Sequence, residues 1–172
     1  MSDVSDLNDL ELWDLSTSGS EREKAEACCE LSQRKLNRRE FSDALALAQQ
    51  GAEFYRQLSD DSGRAECLYY AGRSEYGQRN FTEALGYFEQ ASQLQRSNVN
   101  ENYLASLVNS QGDCYRELGQ YKLAHQNFEN SAKLYASCNN NWCASLNACR
   151  SCRCSRRFWW RCCPYNSHSY RY

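Results

Sequence analysis

Proline is almost missing from this chain. Pro164 is the only one in 172 residues, and glycine is sparse at eight. Turn-rich all-β architectures need both residue types, so their scarcity excludes that class and leaves long helices. No apolar run approaches the roughly 18 residues of a membrane span. The first basic side chain is Arg22; before it lie six acidic ones. A secretory signal needs a basic start and an apolar stretch, and MSDVSDLNDL has neither. A cytoplasmic location is therefore expected, with thiols reduced rather than cross-linked. There are two histidines, His125 and His168. We find no glycine-rich phosphate loop, no Gly-x-Ser-x-Gly and no His-Glu-x-x-His. The carboxylates are spread over helix surfaces with basic partners nearby. No catalytic constellation emerges, and neither an enzyme nor a cofactor is expected.

Acid is also missing from one end. Residues 137–172 hold six arginines and no acid or lysine, a balance of +6. Residues 1–136 hold 14 basic and 22 acidic side chains, a balance of −8. Cysteine divides at the same place: Cys28, Cys29, Cys67 and Cys114 before it, seven after it. So sharp a change sets a boundary near Ser137.

The body repeats. FSDALALAQQGAEF from Phe41, FTEALGYFEQASQL from Phe81 and YKLAHQNFENSAKL from Tyr121 align without gaps at a spacing of 40 residues. Ala44, Ala84 and Ala124 correspond, and upstream Gly72 and Gly112 align with Ser32. Each half-unit has apolar residues at three- and four-residue spacing and lacks proline, which predicts a helical hairpin. The small residues mark places where two helices approach closely. Arg39–Glu40, Arg79–Asn80 and Gly119–Gln120 are expected to be turns within hairpins. SDDSG at 59–63 and SNVNEN at 97–102 are expected to link them. Ser20 with Glu23, and Asn80 with Glu83, have capping-box spacing.

The pattern resembles the tetratricopeptide repeat family. The third copy carries the most of its signature, in Gly112, Tyr115, Gly119, Tyr121, Ala124 and Phe128. The second has Gly72, Phe81, Ala84, Phe88 and Ala91. The first keeps Ala44 but has Ala48 and Gly51 where Phe and Ala are usual. The 40-residue unit is similar to the long-helix subgroup of kinesin light chains, G-protein-signalling modulators and bacterial peptide-sensing regulators. The resemblance implies an all-α fold: an α-solenoid of three hairpins (20–57, 61–96 and 101–136) followed by a partial C-terminal helix. Residues 1–19 form an acidic leader. Its Leu7, Leu10, Leu12, Trp13 and Leu15 suit an amphipathic segment in the groove or on the first hairpin, and a disordered leader equally.

In that family the concave face comes mostly from the first helix of each hairpin. Carried over, it gives Glu26, Cys29, Gln33 and Asn37; Glu66, Tyr69, Arg73 and Tyr76; Ser106, Asn109, Asp113 and Arg116. Gln33, Asn37, Tyr69, Arg73, Tyr76, Asn109, Asp113 and Arg116 form the candidate peptide-binding groove. Its arginines suit carboxylates, its amides an extended backbone and its tyrosines apolar side chains. The implied function is an adaptor or scaffold binding a protein or peptide partner. A peptide-responsive sensor of the bacterial type is the nearest alternative. The family's chaperone-tail clamp of lysines and asparagines is replaced by Cys29, Gln33, Tyr70, Ser106 and Ser110, which argues against chaperone C-termini as partners.

A fourth unit begins with ASLN at 144–147, then fails. A shift of 40 residues sends Gly112 to Cys152 and Ala124 to Pro164, and proline inside a helix costs about 3 kcal/mol. A zinc site built on Cys149 and Cys152 lacks a second well-spaced pair. The arginines with Phe158, Trp159 and Trp160 have the chemistry of single-strand binders, but an acidic body opposes nucleic acid. Loss of lysine and acid together, at the point where the repeat stops, fits an alternative exon or an out-of-frame end. Neither metal, membrane nor nucleic acid is expected as a partner.

Overall fold

A computed structural model of the chain describes residues 4–94 and 101–137. The expected partial helix and the zinc and RNA readings of the tail fall outside these residues. A short 3₁₀ turn, Val4–Asp6, precedes α1 (Asp9–Ser18), α2 (Glu21–Asn37), α3 (Phe41–Gln57), α4 (Asp61–Gly77), α5 (Phe81–Leu94), α6 (Glu101–Glu117) and α7 (Tyr121–Ser137). All regular structure among the described residues is helical. Two compact units emerge: Met1–Asn100, holding α1 to α5, and Glu101–Tyr172, holding α6 and α7. In the first, each helix packs on the next, and α2 also reaches α4; in the second, α6 packs on α7.

The turns share one geometry. Arg39, Ser59, Arg79 and Gly119 have positive φ, from 55 to 75°. In each, the residue after the left-handed one donates five residues back, as Glu40 N to Lys35 O and Asn80 N to Glu75 O. This closure satisfies carbonyls that the helix end leaves unpaired. The expected turns at Arg39, Arg79 and Gly119 are there.

The expected links SDDSG and SNVNEN run too far, into the helices that follow them. Asp60 accepts from the Ser62 and Gly63 amides and caps α4, so residues 61–63 are helical. Gly63 serves packing, because a Cβ there would run into the Tyr55 ring. Glu101 and Asn102 likewise belong to α6. The Ser20–Glu23 capping box forms. The box expected at Asn80 does not form: the Asn80 amide donates to Glu75 Oε2 at 2.8 Å and leaves Glu83 unengaged.

Close helix approach is the role of the aligned glycines. A Cβ on Gly72 would lie 2.6 Å from the Phe88 ring, and one on Gly112 2.7 Å from Phe128. Both rings are fully buried. In the first copy neither partner is large: buried Ser32 stands at the glycine position and buried Ala48 at the phenylalanine position. The α2–α3 contact therefore lacks the ring-over-glycine packing of the other two hairpins.

The N-terminal segment lies on α2. Leu12 is fully buried with Ala27, Cys28, Leu31 and Leu47, and Val4, Leu7, Leu15 and Phe54 pack around them. Asn8 and Glu11 form a capping box at the start of α1. Arg34 clasps the segment by donating to Leu7 O (2.7 Å), Ser5 O (2.9 Å) and Asp9 Oδ1 (3.1 Å), and Arg38 donates to Asp9 Oδ2 at 2.6 Å. These guanidiniums, Arg38 first, hold the Asp9 carboxyl below its ordinary value of 3.8. A lowered folded-state pKa stabilises above the ordinary value and is lost as pH falls through the folded one. We therefore expect the clasp to loosen selectively below pH 3.8. Amide NMR of residues 5–12 during acid titration should show it, and Asp9→Asn should flatten that response. A titration unchanged by Asp9→Asn would remove Asp9 from the clasp.

Candidate functional site

Helices α2, α4 and α6 carry the candidate groove residues in successive 40-residue registers. In the first unit, α4 supplies an aromatic platform. Tyr69 is half-buried, with its ring 5.8 Å from Tyr70 and 5.9 Å from Phe88. The Arg73 guanidinium stands 5.8 Å over the Tyr69 ring and is itself exposed. Cation–π contact fixes where that charge sits without neutralising it. Arg73 has no carboxylate partner among the described residues. Gln33, one register earlier on α2, is exposed, as is Asn37. Neither side chain hydrogen-bonds to a described residue, so both amides face solvent.

Other candidates have structural duties. The 40-residue register aligns Tyr76 and Arg116 with buried Leu36, whereas Asn37 aligns with Gly77 and Glu117. Tyr76 packs edge-on against Phe81 at 5.4 Å, inside its own hairpin. Cys29, which the family register places on the face, is buried instead. Cys29 and Cys67 are both free thiols, and hydrogen bonding to Cys67, then burial, pushes the Cys29 pKa up. Burial likewise raises Cys28 to about 11 and Cys114 to about 12. Burial of this kind disfavours the thiolate that a nucleophilic cysteine needs. Tyr70, at a clamp position, is also buried and bonds Glu66 at 3.0 Å.

In the second unit, α6 presents half-buried Asn109, Asp113 and Arg116. Arg116 Nη1 lies 2.8 Å from Asp113 Oδ1, and its Nη2 3.0 Å from Glu117. The Asp113 contact is off the hydrogen-bonding direction and acts as an ion pair. Arg73 and Arg116 look alike in sequence, yet only Arg116 is held by carboxylates of its own helix. The signal was present: Asp113 and Glu117 stand three residues before Arg116 and one after it.

Among the described residues, no group of three or more His, Cys, Asp or Glu side chains is placed to hold a metal. His125 Nε2 lies 3.5 Å from Glu129 on the surface of α7. Among the same residues no helix is long and apolar enough to cross a membrane.

Residues 64–137 match a family model described as tetratricopeptide repeat. The matched stretch runs from α4 to α7 and contains both Gly–Phe pairs. The copy with Ser32 and Ala48 in their place lies outside it. No curated protein matches the chain.

Proposed function

From the match of residues 64–137 to a tetratricopeptide repeat model, we propose that the chain belongs to that family and is a non-catalytic adaptor that binds an extended peptide on its first-helix faces. Repeats of this family mediate protein–protein interaction. The observation that carries the finer reading is Arg73: a fixed, exposed guanidinium on the Tyr69 ring without a carboxylate of its own. A peptide carboxylate would complete it with charge-assisted hydrogen bonds. Gln33 and Asn37 each offer a donor and an acceptor to a peptide backbone. Tyr69 contributes the apolar surface beside them. In the second unit Arg116 serves as an internal brace for Asp113.

The test is selection of binders from a random-peptide library on the full chain, followed by calorimetry. Arg73→Ala and Tyr69→Ala are expected to weaken the selected peptides about tenfold or more, the loss typical of a central contact. Arg116→Ala should change affinity less than threefold or so, because a residue engaged in its own ion pairs contributes little net attraction. Selected peptides that lack acidic groups and bind Arg73→Ala as tightly as the native chain would sink the assignment.

A further inference from the structure

Helix α1 turns its inner face to α2 and leaves two large apolar side chains outside. Leu10 is 79% exposed and Trp13 is 56% exposed. Leu10, Trp13, Asp14 and Thr17 follow the i, i+3, i+4, i+7 spacing that lines one side of a helix. Leu12, Leu15 and Ser16 occupy the other side and are wholly or partly buried. The exposed pair therefore adds nothing to the core of the first unit. Its surroundings are of one sign. Asp6, Glu11 and Asp14 are exposed and have no basic partner among the described residues, and no basic residue precedes Arg22. Asp9 is the exception, taken by Arg34 and Arg38.

We propose that the outer face of α1, centred on Leu10 and Trp13 and flanked by Glu11 and Asp14, docks an arginine-bearing amphipathic segment of a partner protein. Three observations select this occupant. The acidic flank complements a basic segment and repels a second copy of itself, since two such faces brought together would oppose like charges. The indole face accepts a guanidinium by stacking while Asp14 pairs with it, a combination that arginine meets better than lysine. Leu10 offers the partner's apolar stripe a contact one turn away, in the anchor spacing of helix-on-helix recognition. The site is separate from the first-helix face around Arg73, so either can fail without the other.

The experiment uses the full chain and three labelled synthetic peptides with one common leucine stripe, bearing arginine, lysine or glutamate on the other face. Fluorescence anisotropy gives the affinities. The arginine peptide should bind most tightly, lysine more weakly and glutamate not measurably. About 1 M salt, where screening acts within about 3 Å, should weaken it strongly. Leu10→Ala and Trp13→Ala should each lower arginine-peptide affinity about tenfold or more, and Asp14→Asn less. These side chains are exposed, so circular dichroism should show intact helices. Arg73→Ala should leave this binding unchanged.

A second readout replaces Trp142, Trp159 and Trp160 by phenylalanine, leaving Trp13 as the only tryptophan. Its emission should shift to the blue with the arginine peptide. Equal binding of the arginine and glutamate peptides overturns the proposal. So does binding indifferent to Trp13→Ala. A blue shift on concentrating the protein alone, with sedimentation showing a dimer, would assign the face to a second copy and overturn it as well.

Discussion

Phe88→Ala should cost the first unit about 3–5 kcal/mol, the range for deleting a fully buried aromatic ring. The ring seals the contact between α4 and α5. It lies over Gly72, where even a Cβ would come within 2.6 Å, and stacks beside Tyr69 at 5.9 Å. Removing it leaves a void between two helices that approach closely because one side of the contact is a glycine. The reverse change, Gly72→Val, overfills the same space and should cost about 1–3 kcal/mol. Valine's better helix propensity offsets only a few tenths of that. In the double variant the valine enters the space the ring has left, so the loss should fall short of the sum by about 1 kcal/mol or more. Denaturant unfolding of the four proteins measures each corner of the cycle. Strict additivity would show that Gly72 and Phe88 do not share a packing space.

Leu12→Ala should release α1. Deleting a fully buried leucine costs about 2–5 kcal/mol, and Leu12 is the most buried side chain that α1 inserts among Ala27, Cys28, Leu31 and Leu47. A helix of ten residues has no independent stability in water. It persists through its docking on α2, its capping box and the Arg34 clasp. The loss is therefore expected as local opening, with α3 to α5 still folded. Hydrogen exchange should show amides of residues 12–18 losing protection while those of α4 and α5 keep theirs. Protection retained in α1 would mean that the polar clasp alone holds the segment. Loss across the whole unit would make α1 part of a single cooperative core.

The sequence showed much of the fold and less of the site, for separate physical reasons. The hairpins were legible because Gly72, Phe88, Gly112 and Phe128 must recur wherever two helices meet at the same distance. The turns at Arg39 and Arg79 were legible by position, although arginine is an uncommon residue for positive φ, where a side chain costs about 1 kcal/mol. Gly63 misled, since a glycine beside aspartates has the composition of a loop while this one makes room for Tyr55. The placement of α1 was undecidable: five large apolar residues within nine positions define no single face. Arg34 helps choose the face, reaching the Asp9 carboxylate and, 27 and 29 residues back, two backbone carbonyls that no side-chain pattern reveals. At the candidate site, residue type pointed equally to Arg73 and Arg116. Their difference lies in neighbours on the same helix, an aromatic ring for one and two carboxylates for the other.

The shared turn geometry has a consequence for what counts as the unit of this chain. Helices α2 to α7 begin at residues 21, 41, 61, 81, 101 and 121. The left-handed residue at 59 joins α3 to α4 by the same closure that 39 and 79 use inside hairpins. The backbone therefore has a period of 20 residues, half that of the side chains. At the α3–α4 boundary, among the described residues, the main chain turns as it does inside a hairpin. In the α4–α5 and α6–α7 hairpins the distinction is carried by side chains, glycine on one helix and phenylalanine on the next. Where the joints are described, a 40-residue unit is thus two like backbone steps, and α1, which ends one residue before Gly19 and Ser20 lead into α2, enters that rhythm as a shortened step.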